Sequence, residues 1–178
     1  MFDTVMVAID GSPYSNEALA AAGGIAAKAG CHVEVVHVHE HDFIPGKSGV
    51  ALDLERVDDA QALVDKAVES LVADGITAKG RLLRAQTRDV PRAIIDAAKE
   101  SGADLIIVGR RGLSSLTGML FGSVSNKIVQ VATVPVMVAH WGDPASEIAV
   151  DDAARRSALR ERDVSTAHLL EQPGTFIR

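Results

Sequence analysis

The sequence predicts an α/β fold: a doubly wound, five-stranded parallel sheet in the order 3-2-1-4-5, with helices on both faces in a Rossmann-like plan. Three observations carry that expectation. Short β-branched runs alternate strictly with longer Ala-rich stretches of helical spacing. The runs within residues 4–9 and 104–109 are continuously apolar, as strands covered on both faces must be. A glycine-rich segment follows the fourth run, at the edge where such sheets hold their ligands.

Taken in order, residues 4–9 (TVMVAI) form the first strand. Ser12-Pro13 then reads as a cap with proline in the first turn, opening a helix that ends near Gly30. Gly23-Gly24 inside it is explained by close packing on the sheet. Residues 32–39 form the second strand, and a polar loop with Pro45, Gly46 and Gly49 leads to a long helix over 52–74. Residues 76–85 form the third strand, and Asp89 caps a helix with Pro91 in its first turn. The fourth strand spans 104–109, a helix spans 123–131, and the fifth strand spans 134–140.

Composition narrows the class. With 178 residues, the chain is most simply one domain with a proper core. Only 3% of residues are aromatic, so Val, Ile, Leu and Ala must fill that core. A net charge of −6 without a dense basic stripe argues against a nucleic-acid surface. The single Cys31 excludes an internal disulfide framework, suits a reducing compartment and reads as a small buried hydrophobe. Neither a charged leader nor an apolar run near membrane-spanning length is visible, so the expectation is a soluble cytoplasmic protein with no membrane partner.

The chemistry concentrates in one segment. Gly109-Arg-Arg-Gly112, nine residues, then Gly122-Ser123 stand between a strand and a helix. Glycine lets a backbone approach a ligand closely, and a helix start offers N–H groups and a positive dipole end to an anion. Together they describe a phosphate pocket. Gly122, Ser123, Val124 and Ser125 would present N–H groups and hydroxyls to phosphates, with Ser123 also serving as the helix cap. Asp10, at the end of the first strand, either binds a ribose or fixes the Gly11-Ser12 turn. Arg110 and Arg111 either reach a triphosphate or form a solvated loop tip, and stand outside the core site. In the order 3-2-1-4-5 the first and fourth strands are neighbours at the switch point, so both segments converge on one crevice. Loop glycines that admit a ligand need not support a core, so Gly109 and Gly112 are expected to accept valine with loss of binding alone.

Competing motifs fail. No Gly-x-Gly-x-x-Gly follows a strand, and Gly46-Lys47-Ser48 lacks the first glycine of a P-loop, since His41 stands there. His37, His39 and His41 share one face of a strand, but a packed inner face suits a metal poorly. No nucleophile, base and orienting-acid arrangement is visible, so no catalytic residue is assigned.

With Asp10-Gly11-Ser12, the strand end Val36-His37-Val38, and Val108-Gly109-x-x-Gly112-x9-Gly122-Ser123, the chain resembles the ATP-binding branch of the universal stress protein family from about Phe2 to Trp141. The resemblance implies an adenine nucleotide alpha hydrolase-like fold in a domain over 1–141; beyond it the charged extension over 142–178 reads, from its own composition, as helical or partly disordered. It also implies ATP or another adenine nucleotide in the crevice, with Mg²⁺ or Mn²⁺ on its phosphates. Carried over, Ala8, Asp10 and Val38 flank adenine and ribose, while Val108, Gly109 and Gly112 line the ribose and first phosphate. Gly122, Ser123, Val124 and Ser125 hold the phosphate chain. The family likeness further implies a homodimer paired through the fifth strands, with Val134 and Ala139 bounding the paired segment. The implied function is a nucleotide-dependent regulatory module in stress response. A slow ATPase or phosphotransferase, or a member preferring AMP or cyclic AMP, stands as the alternative.

Overall fold

The chain runs β1 (Thr4–Ala8), α1 (Pro13–Ala29), β2 (His32–Phe43), β3 (Ala51–Asp53), α2 (Val57–Ala73), β4 (Ala78–Gln86), α3 (Val90–Ser101), β5 (Leu105–Gly109), α4 (Ser123–Val131) and β6 (Val136–Ala139). This is a computed structural model, and it describes residues 2–43, 51–110 and 122–140. Gly46, Lys47, Ser48, Arg111, Gly112 and the 142–178 extension lie outside the described residues.

The parallel strands stand in the order β4-β2-β1-β5-β6. Numbered along the predicted five, that is the expected 3-2-1-4-5. Because strand side chains alternate, each strand feeds two cores. Val5, Val7, Val33, Val35, Leu105 and Ile107 meet α1 and α2 on one face. Met6, Val36, Val38, Ile106 and Val108 meet α3 and Ile128 of α4 on the other. Val5, Met6 and Val7 are all fully buried, which is why the central strand has no polar alternation. The connections after β1 and β5 therefore leave on opposite faces, and a crevice opens between those strands at their carboxyl ends.

Local signals explain the helix limits. Ser12 caps α1: its Oγ accepts the Ser15 N–H at 3.2 Å, and the Ser15 hydroxyl donates back to the Ser12 carbonyl at 2.9 Å. Gly30 closes the same helix at φ 70°, the left-handed region that glycine enters without strain. Gly23 is packed as expected, but against Leu71 and Ile76 rather than the sheet, while nothing approaches Gly24. Gly80 of β4 has a firmer reason: a Cβ there would lie 2.4 Å from Val64 Cγ1, so α2 sits directly on the strand backbone. Asp89 occupies the N-cap of α3, yet its carboxylate meets exposed Arg88 at 3.5 Å and makes no cap bond. Cys31 is buried in the α1-side core.

The largest departure from expectation lies between β2 and α2. A helix from residue 52 was expected; instead β2 continues to Phe43, and β3 folds back on it antiparallel, pairing His41 with Asp53 and Asp42 with Leu52. His41 also pairs with Gln86 of β4. A strand has only two edges, so β3 occupies the β1 edge of β2, beyond the point where β1 ends. α2 then begins only at Val57.

Candidate functional site at the switch point

At the end of β1 the Asp10 carboxylate accepts the Ser12 N–H at 3.0 Å, and Gly11 takes φ 78°. Of the two readings of Asp10, turn formation is therefore present: an Asx turn swings the chain from the sheet into α1. Ala8 stands opposite Val108 in register, and both belong to the α3-side face together with Val38. These three side chains form an apolar wall next to Asp10.

The β2 edge beyond β1 has a gap. Ile9 N–H donates to the Val36 carbonyl at 2.9 Å, so Val36 turns its polar groups toward β1. Leu54 N–H donates to the Glu40 carbonyl at 3.0 Å, so Glu40 turns to the same edge. Val38 lies midway, and by the two-residue period of a strand its N–H and C=O face that edge as well. There β1 has ended and β3 has not begun, so neither strand pairs with it. A donor and an acceptor thus stand side by side on an edge of β2 that neither of these two strands covers.

Across the crevice, Gly122 is the N-cap of α4 with φ −65° and ψ 155°; Ser123 is the first helical residue and is exposed. This corrects the expected Ser123 cap. Glycine has no side chain to satisfy the first-turn N–H groups of Ser123, Val124 and Ser125, and no acidic residue sits in that turn. The contrast with α1 is direct, because Ser12 caps that helix with its own hydroxyl. Of the two helix starts beside the crevice, α1 is capped by its own N-cap side chain and α4 is not. Its position is fixed by the Gly122 N–H donating to the Arg110 carbonyl at 2.8 Å and the buried Ser125 hydroxyl donating to the Gly109 carbonyl at 2.7 Å.

Gly109 has a duty that sequence reasoning missed. A Cβ there would lie 2.5 Å from the Tyr14 carbonyl oxygen and 3.1 Å from Ser15 N, so the first turn of α1 rests on its bare backbone. The expectation that valine would be tolerated at this position fails on that contact. Arg110 is neither a loop tip nor free: its guanidinium lies 5.8 Å from the Tyr14 ring centroid.

The three histidines share one face of β2 as expected, and two are structural anchors. His37 Nδ1 lies 2.8 Å from the Ile9 carbonyl, and its Nε2 lies 2.7 Å from Glu55 Oε1. His39 Nε2 lies 3.0 Å from the Glu55 carbonyl. Glu55 was not legible as a partner without β3. Among the described residues, no three His, Cys, Asp or Glu side chains group to hold a metal ion, and no helix is long and apolar enough to cross a membrane.

This is the architecture of a doubly wound α/β domain, with a switch-point crevice and a glycine at the N-cap of the helix beside it. The sequence matches the model of the universal stress protein family over residues 1–140, and the chain belongs to that family. It is similar to universal stress protein YxiE of Bacillus subtilis, 32% identical over a 149-residue alignment covering 78% of this chain and 99% of that protein. Among solved structures, a universal stress protein in complex with cAMP is 27% identical with a TM-score of 0.58, covering 78% of this chain and 97% of that one. The Archaeoglobus fulgidus universal stress protein in complex with dAMP is 25% identical with a TM-score of 0.56, covering 79% and 98%.

Proposed function

We propose that this protein binds an adenine nucleotide, ATP foremost, in the switch-point crevice and acts as a nucleotide-dependent regulatory module in stress response. The observation that carries this reading is the glycine N-cap of α4, whose side-chain-free start stands beside a crevice with the Val38 N–H and C=O on its other flank. Adenine presents an acceptor at N1 beside a donor at N6, which matches a backbone N–H beside a C=O. Guanine reverses that order, so in the same orientation it sets donor against donor. Ala8, Val38 and Val108 would pack the base and ribose, with Asp10 beside the ribose and Gly109 and Gly112 under the first phosphate. The N-terminal turn Gly122, Ser123, Val124 and Ser125 would receive the phosphate chain on the N–H groups of Ser123, Val124 and Ser125 and on the Ser123 hydroxyl, while the Gly122 N–H and the Ser125 hydroxyl hold the turn against β5. The described residues supply no carboxylate cluster for a metal, so Mg²⁺ or Mn²⁺ would arrive on the phosphates and offset their charge. The cAMP and dAMP complexes of the two relatives support an adenine ligand, and cAMP is the second candidate for this crevice. An efficient enzyme is not proposed, because Asp10 already holds the turn and no second acid or base is assigned.

Titration calorimetry with Gly122→Asp tests the phosphate site. The residue's backbone angles are open to any side chain, and a carboxylate there caps the helix while repelling phosphate. Stability should rise by a few tenths of a kcal/mol and ATP affinity should fall about tenfold. Unchanged ATP affinity removes α4 from the site. GTP should bind the unaltered protein about tenfold more weakly than ATP. ATP turnover well above that of a Gly122→Val, Ser123→Ala double variant would instead favour the ATPase reading.

A further inference from the structure

The gap at Val38 has a staple across it. One flank is Ile9, the last residue on the β1 ladder, and the other is the Leu54–Glu55 segment after β3. The buried His37 ring touches both, with Nδ1 on the Ile9 carbonyl and Nε2 on the Glu55 carboxylate. Both partners are oxygen acceptors. A neutral imidazole has one N–H and one lone pair, so it can satisfy only one of them against an ionised Glu55. The bridge is complete only with an additional proton, held on Nε2 or on Oε1 and shared over 2.7 Å. Loss of that proton sets a ring lone pair against one of the two oxygens, the Ile9 carbonyl or the Glu55 carboxylate according to the tautomer, an arrangement that costs free energy and pushes that flank away.

We propose that the His37–Glu55 bridge is a proton-operated staple that sets the width of the crevice at Val38, coupling adenine-nucleotide affinity to pH. The inference rests on the nucleotide reading given above. His37 and Glu55 act as positioning residues, through the flanks, with no contact to the ligand required. The charged and titratable groups around the ring are few. Glu55 faces it from the connection to α2, where Arg56 is turned outward to Asp58 and Asp59. Asp10 follows Ile9 from β1, with its carboxylate on Ser12 N–H. Arg84 of β4, opposite His39 in register, is engaged by Asp53 at 3.0 Å. His39 and His41 share the ring's own face, and His39 holds the same segment through the Glu55 carbonyl. The protonated pair is neutral overall and the deprotonated pair carries one negative charge, which repels an anionic ligand, so both effects have the same sign. Nucleotide binding takes up a proton, and affinity falls as pH rises.

The test is calorimetric titration of ATP into the full chain and into Glu55→Gln and His37→Gln, across about pH 5 to pH 8, the span in which histidine titrates. The terminal phosphate's own titration is common to all three proteins and cancels in the ratios. Relative to Glu55→Gln, the unaltered protein should lose about fivefold in affinity across the span. It should also bind with proton uptake, seen as a dependence of the heat on buffer ionisation enthalpy. Glu55 is only partly buried, so its variant tests the idea even where His37→Gln does not fold. ATP affinity that keeps a constant ratio to Glu55→Gln at every pH overturns the staple and leaves the nucleotide site standing. No heat with any adenine nucleotide at any pH overturns the nucleotide reading, and the staple with it.

Discussion

At the scale of single residues, Gly109 joins two demands in one position. Its backbone ends β5 at the rim of the crevice, and its missing side chain is the seat for the first turn of α1 at Tyr14. Gly109→Ala should therefore lower stability by about 1–3 kcal/mol in a denaturant melt, because a Cβ 2.5 Å from a carbonyl oxygen forces the helix to shift. An unchanged midpoint would mean that the α1–β5 contact is looser than described. The segment around Gly109 was legible as chemistry because glycines at fixed spacing between a strand and a helix are rare without a ligand. Its packing duty was not legible, since Tyr14 lies far from Gly109 in sequence and no local pattern links them. Asp10 was legible only as a choice, and the geometry supplies its turn-forming part.

Among elements, strands and helices with strong period signals stand where the pattern puts them. α4 spans Ser123–Val131 as read, and α1 runs between Ser12 and Gly30 as read, because caps and apolar stripes are local properties. The β3 arm escaped that reading. Its Leu52 and the following Leu54 are exposed, so no core selects for a strand there, and pairing with the far end of β2 is a tertiary event. The β1–β5 junction has its own device: Asp104 accepts the N–H of Thr4 at 3.0 Å and of Asp3 at 2.6 Å. Those bonds, with Thr4 the larger cause, hold its carboxyl below the ordinary 3.8. A depressed folded value gives stability that is present above the unfolded value and is lost as pH falls through the folded one. Denaturation of the unaltered protein and Asp104→Asn should show a stability gap near neutrality that narrows as pH falls through the ordinary 3.8 and closes below the depressed folded value. A gap that stays constant on acidification would show that charge at Asp104 plays no part.

For the whole molecule, the doubly wound order was readable because strict alternation leaves few right-handed ways to build a parallel sheet, and the observed order is the predicted one. Topology then places the crevice without reference to any side chain. Among the described residues the same topology leaves β6 at an edge, with Met137 40% exposed and Val129 and Val131 of α4 exposed as well. An apolar edge of this kind invites a second copy, and we propose a homodimer paired through β6. Sedimentation should find a dimer that Met137→Lys shifts toward monomer, whereas a monomeric unaltered protein would remove this interface. The central claim is tested most directly by following backbone amide resonances while ATP is added. The largest shifts should fall on Val38, on Asp10 and Gly11, and on Ser123, Val124 and Ser125, at the carboxyl end of the sheet. Shifts confined to the opposite end, or none at the start of α4, would contradict the account.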